Sequence, residues 1–348
     1  MNICLEQISD SSAWKGPDLG PKDDYAVDLE PRHIAAFDAA LGRLRDEGVT
    51  LDTMERKHFD VADIASDLAH WFTQVQEGRG FVLVRGFPLE RYSAEEIELI
   101  YWGIGTHMGI GVSQSVLGDR LGHVTDHSKQ DPNARAYRNA RKLGLHTDLS
   151  EIVSLFSLAK AKRGGLTRIA SATTVHNEIL KQDPALLEPL YEGFSYYRSG
   201  EQGPGEAPVT PWNVPVFSFL DGKLAARYIR EYIDRGAVIS GAALDARMLE
   251  ALDLFEGLAN SRDIYLEFML EPGEALFQNN FVTLHARTAF EDDEAAGFKR
   301  HLLRLWLDVP GGRPAPKEME LFETTGIAPQ DGQTPSGGGD VYKQYLAN

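Results

Sequence analysis

Residues 143–170 read LGLHTDLSEIVSLFSLAKAKRGGLTRIA. Three short apolar runs lie close together here, over 143–149, 152–159 and 167–170, and each reads as a strand. The first run carries Leu145-His146-Thr147-Asp148. Alternate residues of a strand share a face, so His146 and Asp148 are expected to present an imidazole and a carboxylate side by side.

Toward the C-terminus the strand pattern continues. Runs over 216–220 and 224–229 flank Asp221-Gly222, a strong hairpin-turn signal. Further strands are expected over 264–270, over 275–279 after a Glu271-Pro272-Gly273-Glu274 turn, and over 299–309. Helical spacing predicts interruptions over 174–181, 185–191 and 244–258. Toward the N-terminus the pattern is helical. Pro31 opens a helix over 31–45, with Ile34, Phe37, Leu41 and Leu44 at helical spacing. A second helix is expected over 61–75, with Ile64, Leu68, Trp71 and Phe72 on one face. An apolar run between Gly80 and Gly86 reads as a buried strand, and Ser93-Ala94-Glu95-Glu96 is a capping box that starts a helix reaching about residue 107. Many short strands with helices gathered on the N-terminal side predict an α+β, mainly β chain: a jelly-roll or sandwich core flanked by helices. The expected organisation is an N-terminal extension over 1–30, one domain over 31–325 and a flexible C-terminal tail over 326–348. Within the domain, 31–110 is a helical part and about 80–310 the jelly-roll core.

Composition narrows the function. The 348 residues include 35 Lys and Arg against 52 Asp and Glu, a net charge of −17, with 43% hydrophobic residues. That is ample material for a core. An acidic chain is disfavoured as a nucleic-acid binder. No apolar run approaches the roughly 20 residues of a membrane span, and the N-terminus shows no secretory pattern. The single cysteine, Cys4, excludes an intramolecular disulfide and a multi-cysteine metal site. A cytoplasmic protein with a small-molecule partner, no nucleic acid and no membrane is therefore expected. The apolar faces of the N-terminal helices leave a homo-oligomer open. The ten histidines are the plentiful soft ligands.

The segment Asn279-Asn280-Phe281-Val282-Thr283-Leu284-His285 offers a second half to the His146/Asp148 pair. Two histidines and one carboxylate with open positions opposite are the facial arrangement of non-haem Fe(II) oxygenases. Zinc takes the same donors, which keeps a jelly-roll metal-dependent hydrolase or lyase in view. A jelly-roll binding protein without metal is the non-enzymatic alternative. On the strand over 299–309, one face carries Arg300, Leu302, Arg304 and Trp306, and the other carries Lys299, His301, Leu303, Leu305 and Leu307. A guanidinium turned inward needs an anion, either a bound carboxylate or neighbouring acidic side chains.

These elements together resemble the TauD/TfdA family of Fe(II)- and 2-oxoglutarate-dependent dioxygenases over roughly residues 80–310. The resemblance rests on His146-Thr147-Asp148, Gly164-Gly165-Leu166-Thr167, His285-Ala286-Arg287 and the Arg300 and Arg304 pair, in that order. It implies a double-stranded β-helix, the jelly roll of the coarse reading. It also implies that His146, Asp148 and His285 bind Fe(II), and that Arg300 and Thr167 hold the distal carboxylate of 2-oxoglutarate. Arg304 would face an anionic group of the substrate or support the cosubstrate. The implied reaction consumes O2 and oxidises a C–H bond by hydroxylation, desaturation or ring closure, releasing succinate and CO2. Its substrate would be small and anionic or amino-acid-like. Gln114 and Tyr137 precede the iron motif where family members build substrate contacts. Arg198, and Arg227 on the expected strand after the 221–222 turn, are further substrate-pocket candidates, with surface ion pairs as the other reading. His107, His123 and His127 have no carboxylate partner at strand spacing apart from Asp126. Asn279 and Asn280 are placed to orient His285 or to cap a strand end. No dinucleotide, P-loop, zincin or nucleophile-elbow motif is present.

Overall fold

The computed structural model describes residues 3–128 and 139–330. Two sheets face each other. The larger is built from β1 (Ala26–Asp28), β2 (Phe81–Arg85), β3 (Ile110–Gly111), β4 (Leu121–Val124), β6 (Ile152–Ala159), β12 (Glu274–Asn279) and β15 (His301–Asp308). Its order is β1-β2-β12-β6-β15-β3, with β4 also paired to β15, and only β1 and β2 run parallel. The smaller sheet is β11-β8-β13-β5, formed by Leu266–Phe268, Thr167–Ser171, Thr283–Arg287 and Leu143–His146, antiparallel throughout. Two hairpin-sized pairs complete the strands: β7 (Arg163–Gly164) with β14 (Phe290–Glu291), and β9 (Phe217–Leu220) with β10 (Lys223–Ala226).

Period-two alternation builds the layers. Val82, Val84, Phe156, Ala275, Phe277, Leu303, Leu305 and Leu307 leave one face of the large sheet. They pack on α2 (Pro31–Asp46), α3 (Ala65–Gln76) and α4 (Ala94–Thr106), whose Phe37, Leu41, Leu68, Trp71, Ile100 and Ile104 form the apolar stripes. From the other face Phe81, Leu83, Val124, Leu276 and Leu302 meet Ile169, Leu266 and Phe268 of the small sheet. Behind the small sheet, Ala170, Leu284 and Ala286 join a third apolar cluster with α5 (Ala172–Gln182), α6 (Leu187–Glu192) and α8 (Ala246–Ala259).

The capping box forms as the sequence predicts. The Ser93 side chain accepts from the Glu96 backbone N–H, and the Glu96 carboxylate accepts from that of Ser93. The Asp221-Gly222 turn also forms, with both residues at positive φ. Three elements differ from expectation. The strand over 143–149 ends at His146 because the next N–H groups find partners outside the ladder: Thr147 donates to the Tyr228 carbonyl and Asp148 to the Asn280 side chain. The strand after the hairpin ends at Ala226, and Arg227 and Tyr228 lie beyond it, ahead of helix α7 (Arg230–Ser240). The α7 sequence contains Gly236, a poor helix former. Its missing side chain lets the helix touch the backbone of Ser195, where a Cβ would lie 2.0 Å from the carbonyl oxygen. The strand over 264–270 shortens to Leu266–Phe268.

The first thirty residues supply β1 and one helical turn, α1 (Lys22–Tyr25), and bury Cys4, Ile8, Trp14 and Tyr25. At the other end Ile327 is buried and its N–H donates to the Ser113 carbonyl. Residues 331–348 of the expected tail lie outside the described residues. Among the described residues no helix is long and apolar enough to cross a membrane.

Candidate active site

Strand β13 lies in the small sheet between β5 and β8, and its His285 is the cross-strand partner of His146 on β5. The two ring centroids are 4.3 Å apart. Asp148 comes from the loop just past β5. Its Oδ1 is 3.6 Å from His146 Nε2 and its Oδ2 is 3.8 Å from His285 Nε2. One ligand atom from each of the three residues lies within 4.8 Å of the others, and no other such group of three exists among the described residues. His146 Nδ1 lies 2.9 Å from the Gly144 carbonyl, so Nδ1 carries the proton and Nε2 keeps its lone pair for a cation.

Electrostatics keeps Asp148 and His285 in the form that binds a cation. Burial pushes the His285 imidazole down to about 3, with the neighbouring His146 adding to the shift. Burial also acts to raise the Asp148 carboxyl. Arg304 and the two imidazoles outweigh it and hold the group ionised, well below the usual carboxylate range.

The loop carrying Asp148 is gripped from several sides. Asn280 Oδ1 accepts from the Asp148 N–H at 3.0 Å, and its Nδ2 donates to the Ser150 carbonyl at 2.9 Å. The fully buried Arg227 donates to the carbonyls of Asp148, Leu149 and Met319. Tyr228 N–H donates to Thr147 Oγ1, answering the Thr147 N–H on the Tyr228 carbonyl.

The donors sit at one part of a cavity of about 310 Å³ between the sheets. Thr167, Arg287, Arg300, Leu302, Arg304 and Trp306 line it, together with Ile229, Arg230, Glu231 and Tyr232 from the start of α7 and Glu256 from α8. Arg300 is buried, and its Nη1 has no hydrogen-bond partner among the described residues. Asp292 Oδ1 accepts from the Arg300 backbone N–H at 2.9 Å. Burial, with Arg287 nearby, pushes the Arg300 guanidinium down to about 9. Such a group calls for an anion. Its side chain lies along Phe290 and across Gly165, where a Cβ would come within 3.2 Å of Nε. Gly164 and Gly165 both have positive φ, and a Cβ on Gly164 would collide with the Ala289 carbonyl.

The structure thus brings together His146, Asp148, His285, Thr167, Arg300 and Arg304 in one cavity. Three other candidates stand elsewhere. Gln114 sits behind Arg304: its Oε1 accepts from Arg304 Nε at 2.6 Å, and its Nε2 donates to the carbonyls of Arg304 and Arg120. Arg227 is spent on backbone carbonyls below the Asp148 loop. Arg198 is buried against Trp212 and Phe322 and pairs with Glu206 at 3.0 Å, away from the cavity lining. Tyr137 lies outside the described residues. His301 turns away from the cavity, and its Nε2 lies 2.8 Å from His123 Nδ1. Trp306 and Arg287 were not among the site candidates. For Trp306 a signal existed in the strand alternation, which puts it on the Arg300/Arg304 face. For Arg287 the cue was its i+2 position after His285.

The family model described as "Taurine catabolism dioxygenase TauD, TfdA family" matches residues 46–306. FR-33289 synthase of Streptomyces rubellomurinus is 30% identical over 325 residues, covering 92% of this chain and 95% of its own. The solved structure of an asparagine oxygenase in complex with Fe(II), 2S,3S-3-hydroxyasparagine and succinate is similar in fold, with a TM-score of 0.64 at 16% identity, covering 86% of this chain and 100% of that one. That of the non-heme iron oxygenase OrfP in complex with Fe and alpha-ketoglutaric acid is also similar, with a TM-score of 0.60 at 13% identity, covering 82% and 94%.

Proposed function

From the premise that this chain belongs to the TauD/TfdA family, and so is a non-haem Fe(II)- and 2-oxoglutarate-dependent dioxygenase, we propose which residues run its reaction. His146, Asp148 and His285 hold the Fe(II). Arg300, with Thr167 beside it, takes the distal carboxylate of 2-oxoglutarate. The donor set suits the ion: two imidazoles and a carboxylate, with His146 fixed as the tautomer that offers Nε2. When bound, Fe(II) with 2-oxoglutarate and O2 supplies the oxidant for a substrate C–H bond, and succinate and CO2 are released.

The chain's own part is binding, orientation and exclusion of water. Arg300 offers a buried fork to one carboxylate, Phe290 and Gly165 set its direction, and Leu302 and Val124 wall the space beside it. The observation that carries this reading is the pairing of three converging donors with a buried guanidinium whose Nη1 has no hydrogen-bond partner among the described residues, in one cavity. Zinc-assisted hydrolysis needs only the metal and its bound water, whereas a 2-oxoglutarate cosubstrate needs a carboxylate clamp beside the metal. A small anionic or amino-acid-like substrate is favoured by the similar folds of the asparagine oxygenase and OrfP, both seen with hydroxylated amino acids. Aerobic incubation with Fe(II), 2-oxoglutarate and a panel of such substrates is expected to yield succinate. A yield no greater than that of a His146→Ala control overturns the assignment.

The facing antiparallel sheets are read as a double-stranded β-helix, with residues 31–325 as one catalytic domain, 1–30 as its extension and 326–348 as a tail. The lone cysteine and the absence of a long apolar helix among the described residues support a cytoplasmic setting.

A further inference from the structure

Trp306 follows Arg304 by two residues on β15, so both side chains project from the same face into the cavity. Trp306 is 3% exposed, and its Nε1–H donates to Asp148 Oδ2 at 2.7 Å. A buried indole N–H needs an acceptor, and an ionised carboxylate makes the bond charge-assisted. Arg304 approaches the same oxygen, with Nη1 at 3.6 Å. It is held there by Gln114 on its Nε and by the Trp306 ring, 5.0 Å from the guanidinium carbon. The two oxygens of Asp148 are therefore unequal. Oδ2 receives the indole N–H and faces a guanidinium, with His285 Nε2 at 3.8 Å. Oδ1 faces the His146 Nε2.

We propose that Trp306 is a positioning residue that reserves Asp148 Oδ2 and leaves Oδ1 as the oxygen offered to the metal. The inference rests on the metal-site reading above. A carboxylate binding through one oxygen fills one coordination position, whereas a chelating one fills two, so the reservation keeps a position available to reactants. Gln114 and Arg304 act in the same arrangement, through the orientation of the guanidinium.

The test uses metal binding without turnover. Mn(II) affinity is measured anaerobically, without 2-oxoglutarate, by the resonance signal of the free ion, and the Co(II) absorption spectrum is recorded on the same proteins. The variants are Trp306→Phe and a full-length chain whose Trp306 indole is replaced by benzothiophene, which keeps the bicyclic volume and lacks the N–H. Circular dichroism establishes that each is folded. Both variants are expected to bind Mn(II) roughly tenfold more weakly, the usual loss when an outer partner of a ligand is removed, and to shift the Co(II) bands. Wild-type affinity and an unshifted spectrum in the benzothiophene protein overturn the inference while leaving the metal site standing. A wild-type chain that binds no Mn(II) overturns the metal site and the inference together.

Discussion

His285 stands directly across from His146 in the β13–β5 pair, which sets the two imidazoles 4.3 Å apart with Asp148 between their Nε2 atoms. Two imidazoles this close repel when both are protonated, so the arrangement suits neutral rings around a shared cation. Replacing either histidine with alanine removes one of three donors. Iron-dependent consumption of 2-oxoglutarate is expected to fall at least about a hundredfold in His146→Ala and His285→Ala, with the fold retained by circular dichroism.

Arg300 presents the cavity with a buried guanidinium whose Nη1 is unpartnered among the described residues. A hydrogen bond to a charged group contributes about 1.5–3 kcal/mol, so Arg300→Gln is expected to raise KM for 2-oxoglutarate roughly 10–100-fold. Arg300→Lys keeps the charge and loses the planar fork, so its KM should fall between those of wild type and Arg300→Gln. Steady-state kinetics at varied 2-oxoglutarate checks both, and an unchanged KM in Arg300→Gln removes this residue from the cosubstrate site.

Gly165 lies under the Arg300 side chain at φ +75°. In Gly165→Ala the new methyl meets Nε at 3.2 Å, and the backbone conformation alone costs about 1–2 kcal/mol. The expected result is a lower Tm together with a raised KM for 2-oxoglutarate. A lower Tm with unchanged KM would limit the glycine to a turn-forming role.

Arg227 is fully buried and bonds to three backbone carbonyls, those of Asp148, Leu149 and Met319. Arg227→Met leaves these acceptors without their donor, at a cost of about 1–3 kcal/mol for a buried group left unsatisfied. Chemical denaturation should show that loss, and Mn(II) affinity should weaken with it, since the Asp148 loop loses its floor. Wild-type stability would show that the carbonyls find other donors.

His176 is buried, with Nε2 3.0 Å from the Tyr191 hydroxyl, and burial pushes it down to about 4 from the usual 6.5. Above pH 6.5 the folded and unfolded chains both hold it neutral. Between pH 6.5 and 4 the unfolded chain takes a proton that the folded chain refuses, so stability falls as pH drops, by up to about 1.4 kcal/mol per pH unit. Thermal melts from pH 7.5 to pH 5 should show a smaller loss of Tm in His176→Gln than in wild type.

The elements most legible in the sequence were those whose signals are local. Pro31, the Ser93/Glu96 box and the Asp221-Gly222 turn announce themselves within a few residues, and each forms. The α7 helix lacks such a local signal: Gly236 is a poor helix former, and the close approach to the Ser195 backbone that it permits involves a partner far off in sequence. Among the site residues, Arg198, Arg227 and Gln114 share the chemistry of a ligand contact. Their partners, Glu206, the carbonyls under Asp148 and the Arg304 guanidinium, are visible only once the chain is folded.

By itself the sequence determined the candidates for donors and clamp: His146, Asp148 and His285, the glycine pair before Thr167, and the two arginines on one face of β15. Residue type and strand alternation are properties of short segments, and they survive without knowledge of neighbours. Only the tertiary structure decided that Arg304 faces Asp148, and that Trp306 already engages one oxygen of that carboxylate. Those choices depend on side chains arriving from β15, the 113–120 loop and the segment after β10. Burial turns each unpaired polar group among them into a demand for a specific partner.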